Sequence, residues 1–276
     1  MLHFWQGKKG GYTLPGIAEY DRQQSVLRLL DERTGVTVEE LSTLFGVSPV
    51  TIRKDLDSLE RRRLLIRVRG GAVRYESADE GSFEMRLRHM VCVKQALARA
   101  ASAYVKDGDV VVLDSSTTCY YLALELRSRR GLVVITNGLR ASEVLSDSSS
   151  ITVILPGGSV RRSSRSLVGA FGNSVSSLGE VKLGFFGLLS LSVEHGLLEL
   201  SVEEAVAKRE LATACKQVYG LFDSTKVSRF ALHPFVPSMQ VTQLITDSGM
   251  PEDVADKWRA LGVKVECVSL PPEGSG

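Results

Sequence analysis

Residues 48–73 read SPVTIRKDLDSLERRRLLIRVRGGAV. Serine followed by proline predicts a helix start: the hydroxyl caps exposed backbone N–H groups, and proline at the first helical position lacks an N–H that would have no partner there. Ile52, Leu56 and Leu59 then recur at i, i+4 and i+7, so the helix turns that stripe inward. Thr51, Arg53, Lys54 and the helix N-terminus are left facing outward. Beyond the helix, Leu64 to Arg69 alternates and Gly70-Gly71-Ala72-Val73 supplies a turn and a return, which predicts a two-stranded hairpin. Basic side chains crowd the stretch: Arg53, Lys54, Arg61, Arg62, Arg63, Arg67 and Arg69, with Arg74 just beyond, against Asp55, Asp57 and Glu60.

Working back towards the N-terminus, Val26, Leu29 and Leu30 sit at helical spacing with Asp21 available as a cap, predicting a helix over about 20–33. Thr34-Gly35 ends it. Thr37-Val38-Glu39-Glu40 is a capping box, and the helix it opens carries Leu41, Leu44 and Phe45 on one face. Gly46 stops that helix, and Val47 begins a tight turn into Ser48. Two helices joined by a glycine-containing turn, the second led by polar and basic residues, form a helix-turn-helix, here over 36–55. With the hairpin it becomes a winged variant, a domain spanning 19–74. The partner this geometry fits is double-stranded DNA. Ser48, Pro49, Thr51, Arg53 and Lys54 are the candidates at the helix start, where Arg53 and Lys54 reach base edges or phosphates. Arg67 and Arg69 on the hairpin are candidates for holding the backbone. For Arg61 to Arg63, a solvated helix end favoured by the helix dipole is an equal reading.

The chain has 276 residues, suggesting two domains, and a formal net charge of only +2, so its basic character is local. With 43% hydrophobic and 24% charged residues, it has the composition of a soluble globular protein. Cys92, Cys119, Cys215 and Cys267 are far apart, and His3, His89, His195 and His233 are equally scattered. Neither set has zinc-site spacing or a disulfide pattern, so no metal, no cofactor and a reducing cytoplasm are expected. No apolar run approaches the roughly 18 residues that cross a bilayer, the longest being Phe185-Phe186-Gly187-Leu188-Leu189, so no membrane partner is expected. Residues 1–18 lack the apolar region of a secretion signal and read as a disordered extension or a mis-assigned upstream start.

Residues 75–82, YESADEGS, are polar and without periodicity and read as a linker. Residues 83–109 read as one long helix ended by Gly108. Thereafter short apolar runs (VVVLD, VVITN, ITVILPGG, VYGLFD, LITD, VKVECV) alternate with helical patterns, which predicts βαβ units and a mainly parallel sheet over 83–270. Residues 271–276 read as a disordered tail. In such sheets ligands lie beyond the carboxyl ends of the strands. The residues there are Asp114, Ser115, Ser116, Thr117 and Thr118, then Asn137, Gly157, Gly158, Asp223 and Lys226. The hydroxyl-rich stretch opens a helix and can offer N–H and O–H donors to an anion. Glu204 and Lys208 are an i, i+4 pair that either joins this group or simply stabilises its own helix.

The stretch TVEELSTLFGVSPVTIRKDLDSLE (37–60), followed by LIRVRGGA (65–72), resembles the DNA-binding signature of the DeoR family of bacterial transcriptional regulators, with Arg62-Arg63 where that family usually has a glycine. Residues 83–270 resemble the family's sensor domain through DSSTT (114–118), TN (136–137), GG (157–158), EAVAKR (204–209) and DSTKVSR (223–229). The resemblance implies an N-terminal winged helix-turn-helix plus a C-terminal Rossmann-like α/β fold like that of ribose 5-phosphate isomerase. It also implies a pocket for a phosphorylated sugar or similar metabolite, with Ser115 to Thr118 as phosphate cradle and Lys208 and Lys226 as charge partners. The output implied is repression of carbohydrate-metabolism genes by a homo-oligomer, dimer or tetramer, on operator DNA. Ser116 replaces a family glycine, Lys182 stands in a segment that has lost an acid, and Leu188 and Leu189 replace small residues. Those changes imply a ligand other than the usual sugar phosphates or a partly closed pocket, and Leu188 and Leu189 motivate a regulator that no longer binds an effector. An isomerase would need a base placed beside its substrate, for which Asp114 and Asp223 qualify by position. No acid lies in 183–192, and no catalytic residue is assigned.

Overall fold

A computed structural model describes residues 19–33, 35–61, 64–74, 82–169, 171, 181–227, 229 and 231–270. The extension at 1–18, Arg62-Arg63, linker residues 75–81 and the tail at 271–276 lie outside the described residues. The chain divides into two compact units, Met1–Ala78 and Asp79–Gly276.

The first unit runs α1 (Glu19–Glu32), β1 (Gly35–Thr37), α2 (Val38–Phe45), α3 (Pro49–Arg61), β2 (Leu65–Val68) and β3 (Gly71–Arg74). Both helix starts of the motif form as their residues dictate. The Thr37 hydroxyl accepts from the Glu40 N–H at 3.0 Å while the Glu40 carboxylate accepts from the Thr37 N–H at 2.9 Å. The Ser48 hydroxyl accepts from the Thr51 N–H at 3.1 Å. Gly46 ends α2 in the left-handed region, φ 63°. Val26, Leu30, Leu41, Phe45, Ile52, Leu56, Leu59 and Leu65 make one core.

Three expectations change. Asp21 lies within the first turn of α1 instead of capping it. Leu44 is 59% exposed, because only Val38, Leu41 and Phe45 share the buried face of α2. The wing has three strands, in the order β1-β3-β2, since the short segment Gly35–Thr37 pairs antiparallel with Val73, Ala72 and Gly71. That pairing explains the double glycine. Gly70 turns the hairpin at φ 90°, and a Cβ on Gly71 would lie 2.1 Å from the Val36 carbonyl oxygen.

The second unit contains α4 (Phe83–Arg88), α5 (Val91–Ser102), β4 (Val110–Leu113), α6 (Thr117–Leu126), β5 (Leu132–Thr136), α7 (Leu139–Ser146), β6 (Ile151–Ile154), β7 (Ser159–Arg161), β8 (Ser166–Val168) and β9 (Val181–Gly187). It continues with β10 (Ser190–Ser192), β11 (Gly196–Glu199), α8 (Val202–Thr213), β12 (Cys215–Leu221), β13 (His233–Val236), β14 (Gln243–Asp247), α9 (Glu252–Ala260) and β15 (Lys264–Val268). Seven strands form one sheet in the order β15-β14-β12-β9-β4-β5-β6, every neighbouring pair parallel. Its faces are both covered: Leu113, Phe185, Leu221 and Ile245 join one core with α5 and α6, while Val112, Phe186, Phe222 and Leu244 join another with α8 and α9. The chain is therefore α/β, with a winged helix-turn-helix and a Rossmann-like parallel sheet.

The helix expected over 83–109 is two helices, separated at Met90, whose φ is 54°. Two small antiparallel pieces, the hairpin β7-β8 and the sheet β10-β11-β13, accompany the main sheet. Among the described residues no helix is long and apolar enough to cross a membrane, and no group of three or more His, Cys, Asp or Glu is placed to hold a metal ion.

Candidate DNA-binding face and buried polar cluster

In the first unit α3 buries Ile52, Leu56 and Leu59 completely and leaves Arg53 and Lys54 exposed. The one acid within its first two turns, Asp55, points inward at 2% exposure. There the Arg22 guanidinium of α1 donates to both its oxygens, at 2.5 and 3.0 Å. This pairing removes a carboxylate from the outer face, where it would repel phosphate, and ties α1 to α3. Ser48 and Pro49 are exposed at the helix start; Thr51 is half-buried, its hydroxyl 2.9 Å from that of Ser48.

The two wing arginines part company. Arg67 donates to Asp57 at 3.0 Å and to the Gly71 carbonyl at 2.9 Å, and its N–H donates to Glu60 at 2.8 Å. It braces the wing on α3. Arg69 is exposed beside Gly70 at the hairpin turn.

In the second unit, the carboxyl ends of β4, β5, β9, β12 and β14 carry Asp114, Asn137, Leu188, Asp223 and Asp247. Asp114 is fully buried. One of its oxygens accepts from the Ser116 N–H at 2.9 Å; the other accepts from the Gly187 N–H at 2.8 Å and lies 2.9 Å from the Lys208 ammonium. Lys208, on α8, also donates to the Gly187 carbonyl at 2.8 Å and to Glu199, and lies 5.1 Å from the centre of the Phe235 ring. Burial pulls the lysine pKa down, but Asp114 and Glu199 outweigh it and hold the group well above its ordinary value.

Next to this lies a second knot. One Glu204 oxygen accepts from the Ser164 and Ser166 hydroxyls at 2.5 and 2.7 Å, and the Arg161 guanidinium stands 3.5 Å away. The other oxygen accepts from Ser115 at 3.4 Å. Lys208 is thus one buried cation among three carboxylates, Asp114, Glu199 and Glu204, with half-exposed Arg161 at the edge.

Ser116 caps α6 by accepting from the Cys119 N–H at 3.1 Å, and Thr117 and Thr118 are buried in its first turn. Its φ of −68° needs no glycine. Space beside it is tight at Gly187, where a Cβ would lie 2.3 Å from the Ser116 Cβ. Asn137 donates to the Leu167 carbonyl at 3.0 Å; its side-chain oxygen is buried with no partner among the described residues. Leu188 and Leu191 pack into the hydrophobic core.

The sequence-selected residues therefore fall into groups. Asp114, Ser115, Ser116 and Lys208 form one connected network. Asp223 accepts from Thr225, and the neighbouring Ser224 N–H donates to Asp247 at 2.7 Å, which brackets the turn carrying Lys226. Gly157 and Gly158, at φ 93° and 106°, lead into β7, and a Cβ on Gly158 would meet the Val168 carbonyl. Sequence reasoning missed Glu199, Ser164, Ser166, Arg161 and Asp247. Only Asp247 carried a signal, as the last residue of the LITD run.

A sequence profile of the DeoR-like helix-turn-helix domain matches residues 22–78, and one of the DeoR C-terminal sensor domain matches 90–248. HTH-type transcriptional regulator GolR of Listeria innocua serovar 6a is 33% identical over 90% of this chain and 98% of its own. The glycerol-3-phosphate regulon repressor of Escherichia coli K12 is 27% identical over 86% of this chain and 94% of its own. Ribose 5-phosphate isomerase A from Neisseria gonorrhoeae aligns with 49% of this chain and 53% of its own at TM-score 0.38 and 11% identity, a likeness too weak to carry a reading of function.

Proposed function

This chain belongs to the DeoR family of transcriptional regulators, and from that premise we propose that it represses carbohydrate-metabolism genes under the control of a phosphorylated sugar. It is a regulator and not an enzyme. In this reading residues 19–74 bind the operator, 75–82 link, 83–270 sense the effector, and the protein works in the cytoplasm.

The observation that carries the DNA half is the outer face of α3, with Arg53 and Lys54 exposed while Asp55 is turned inward onto Arg22. Ser48, Pro49 and Thr51 set the helix N-terminus against the backbone, and Arg69 follows the groove. Arg67 acts by holding the wing in place. One head contacts few phosphates, so a homo-oligomer, dimer or tetramer, places two heads on paired half-sites.

For the effector, the supporting features are the first turn of α6 with its buried threonines and the Asn137 oxygen, buried without a partner among the described residues and an acceptor suited to a sugar hydroxyl. Lys208 is held by two carboxylates. The anion therefore falls to the Thr117 and Thr118 N–H groups and to Arg161 and Lys226 at the rim, with Ser115, Ser116, Gly157, Gly158 and Asp223 shaping the walls. Effector control requires that the ligand bind one arrangement of the heads more tightly than another.

The test is operator affinity at fixed salt with and without a panel of phosphorylated sugars and their unphosphorylated counterparts. The proposal expects one phosphorylated sugar to release the DNA and its unphosphorylated form to fail. If no member of the panel changed either DNA affinity or thermal stability, the sensor reading would be wrong.

A further inference from the structure

The apolar residues of α3 divide sharply. Ile52, Leu56 and Leu59 are fully buried, whereas Val50 is 58% exposed. Advancing about 100° per residue places Val50, Lys54, Asp57 and Arg61 along one line of the helix, opposite Ile52 and Leu59, with Asp57 paired to Arg67. The valine therefore stands at the centre of the basic outer face, in the first helical turn, next to the cap made by Ser48.

A lone exposed apolar side chain on a protein surface needs no explanation. This one is different in its setting. A β-branched residue is a poorer helix former than the lysine, arginine or glutamine that suits a solvated face, and its neighbours on that face are charged. In docked recognition helices the N-terminal turn is the part that reaches base edges. Among the groups those edges present in the major groove, the C5 methyl of thymine is the one apolar group of side-chain size, cytosine offering only a C5 hydrogen there and the remaining recognition groups being hydrogen-bond donors or acceptors. Valine has no hydrogen-bonding group. Its exposed methyls match that one feature, find no methyl to pack on at cytosine, and leave a purine with an unsatisfied polar edge.

We propose that Val50 is a specificity-determining residue that packs its side chain on a thymine C5 methyl in each half-site, beside the base or phosphate held by Arg53 and Lys54. The assignment rests on the DNA-binding reading above and adds to it the identity of one base. Arg53 and Lys54 hold base edges or phosphates, while Val50 adds discrimination at one thymine by removing two apolar groups from water.

The experiment uses the full chain and a duplex selected from a random pool for tightest binding. Each thymine is replaced in turn by deoxyuridine, which lacks only the methyl group. One thymine per half-site should show a loss of roughly fourfold on replacement, the worth of burying one methyl. In Val50→Ala that loss should vanish at the same position and at no other. Val50→Thr, which keeps one methyl, should retain part of it. Both substitutions lie on an exposed helix face, and unchanged melting temperatures confirm intact folds. The inference is overturned if no thymine-to-deoxyuridine change weakens the wild type, or if Val50→Ala keeps the full loss. A wild-type chain that selects no duplex from the pool would sink the DNA-binding reading itself, and the two failures are thereby distinct.

Discussion

Asp55 is an acid in the middle of a helix that faces phosphate, and its tolerance depends on Arg22. Both side chains are buried and joined by two hydrogen bonds. Removing one partner strands a charge, so Arg22→Met should cost about 3–5 kcal/mol in urea unfolding, while Arg22→Met with Asp55→Leu should recover most of the loss. Equal destabilisation by single and double variants would contradict the pairing. Lys208 follows the same logic: the sequence reading paired it with the effector, yet its ammonium lies between Asp114 and Glu199. Substituting it would disturb the fold before it tested ligand binding. Asp109 gives a pH signature. Burial raises its pKa, but the Lys106 N–H and the Lys182 ammonium outweigh that and hold it below the ordinary aspartate range. A depressed folded value means stability that is present above the unfolded pKa, about 4, and is lost as pH falls through the folded one. Asp109→Asn should therefore flatten the acid limb of the urea midpoint against pH, leaving its shape near neutrality unchanged.

At the scale of elements, caps and periodicity were the readable signals. Thr37 and Glu40 fixed the start of α2, Ser48 and Pro49 that of α3, and the stripe Ile52, Leu56, Leu59 its inward face. Thr37→Ala should remove about 1 kcal/mol from the first unit, measured by thermal unfolding, and Thr37→Ser should restore it. Strands were harder. β9 lies at the centre of the sheet with both faces buried, so Val181–Gly187 has no alternation, and its glycines look like breaks. Gly184 is needed because a Cβ there would lie 2.5 Å from the Cys215 sulfur. β1 is too short to show a period and is defined by its pairing with β3. Met90 gave no warning of the break between α4 and α5, since nothing about methionine predicts a left-handed backbone.

For the whole molecule, the wing and the α/β sheet were legible because each repeats a short-range rule, whereas the polar cluster was legible only in part. Asp114 to Thr118 sit at a strand end that precedes a helix, a place where ligands gather. Glu199 lies nine residues before Lys208 but on β11 rather than on its helix, and the serines that hold Glu204 come from the β7-β8 hairpin, 38 and 40 residues before it, so only the folded chain brings them to Lys208 and Ser115. The net charge of +2 likewise hides the concentration of Arg53, Lys54 and Arg69 in one small unit. That concentration is the account's central claim. It is tested most directly by measuring, at one salt concentration, the affinity of the full chain for a selected duplex and for a scrambled duplex of equal length, in the wild type and in Arg53→Ala/Lys54→Ala. The account predicts a wild-type preference of at least about 10³-fold that collapses in the double variant. Equal wild-type affinity for the two duplexes, or a preference untouched by the double substitution, would contradict it.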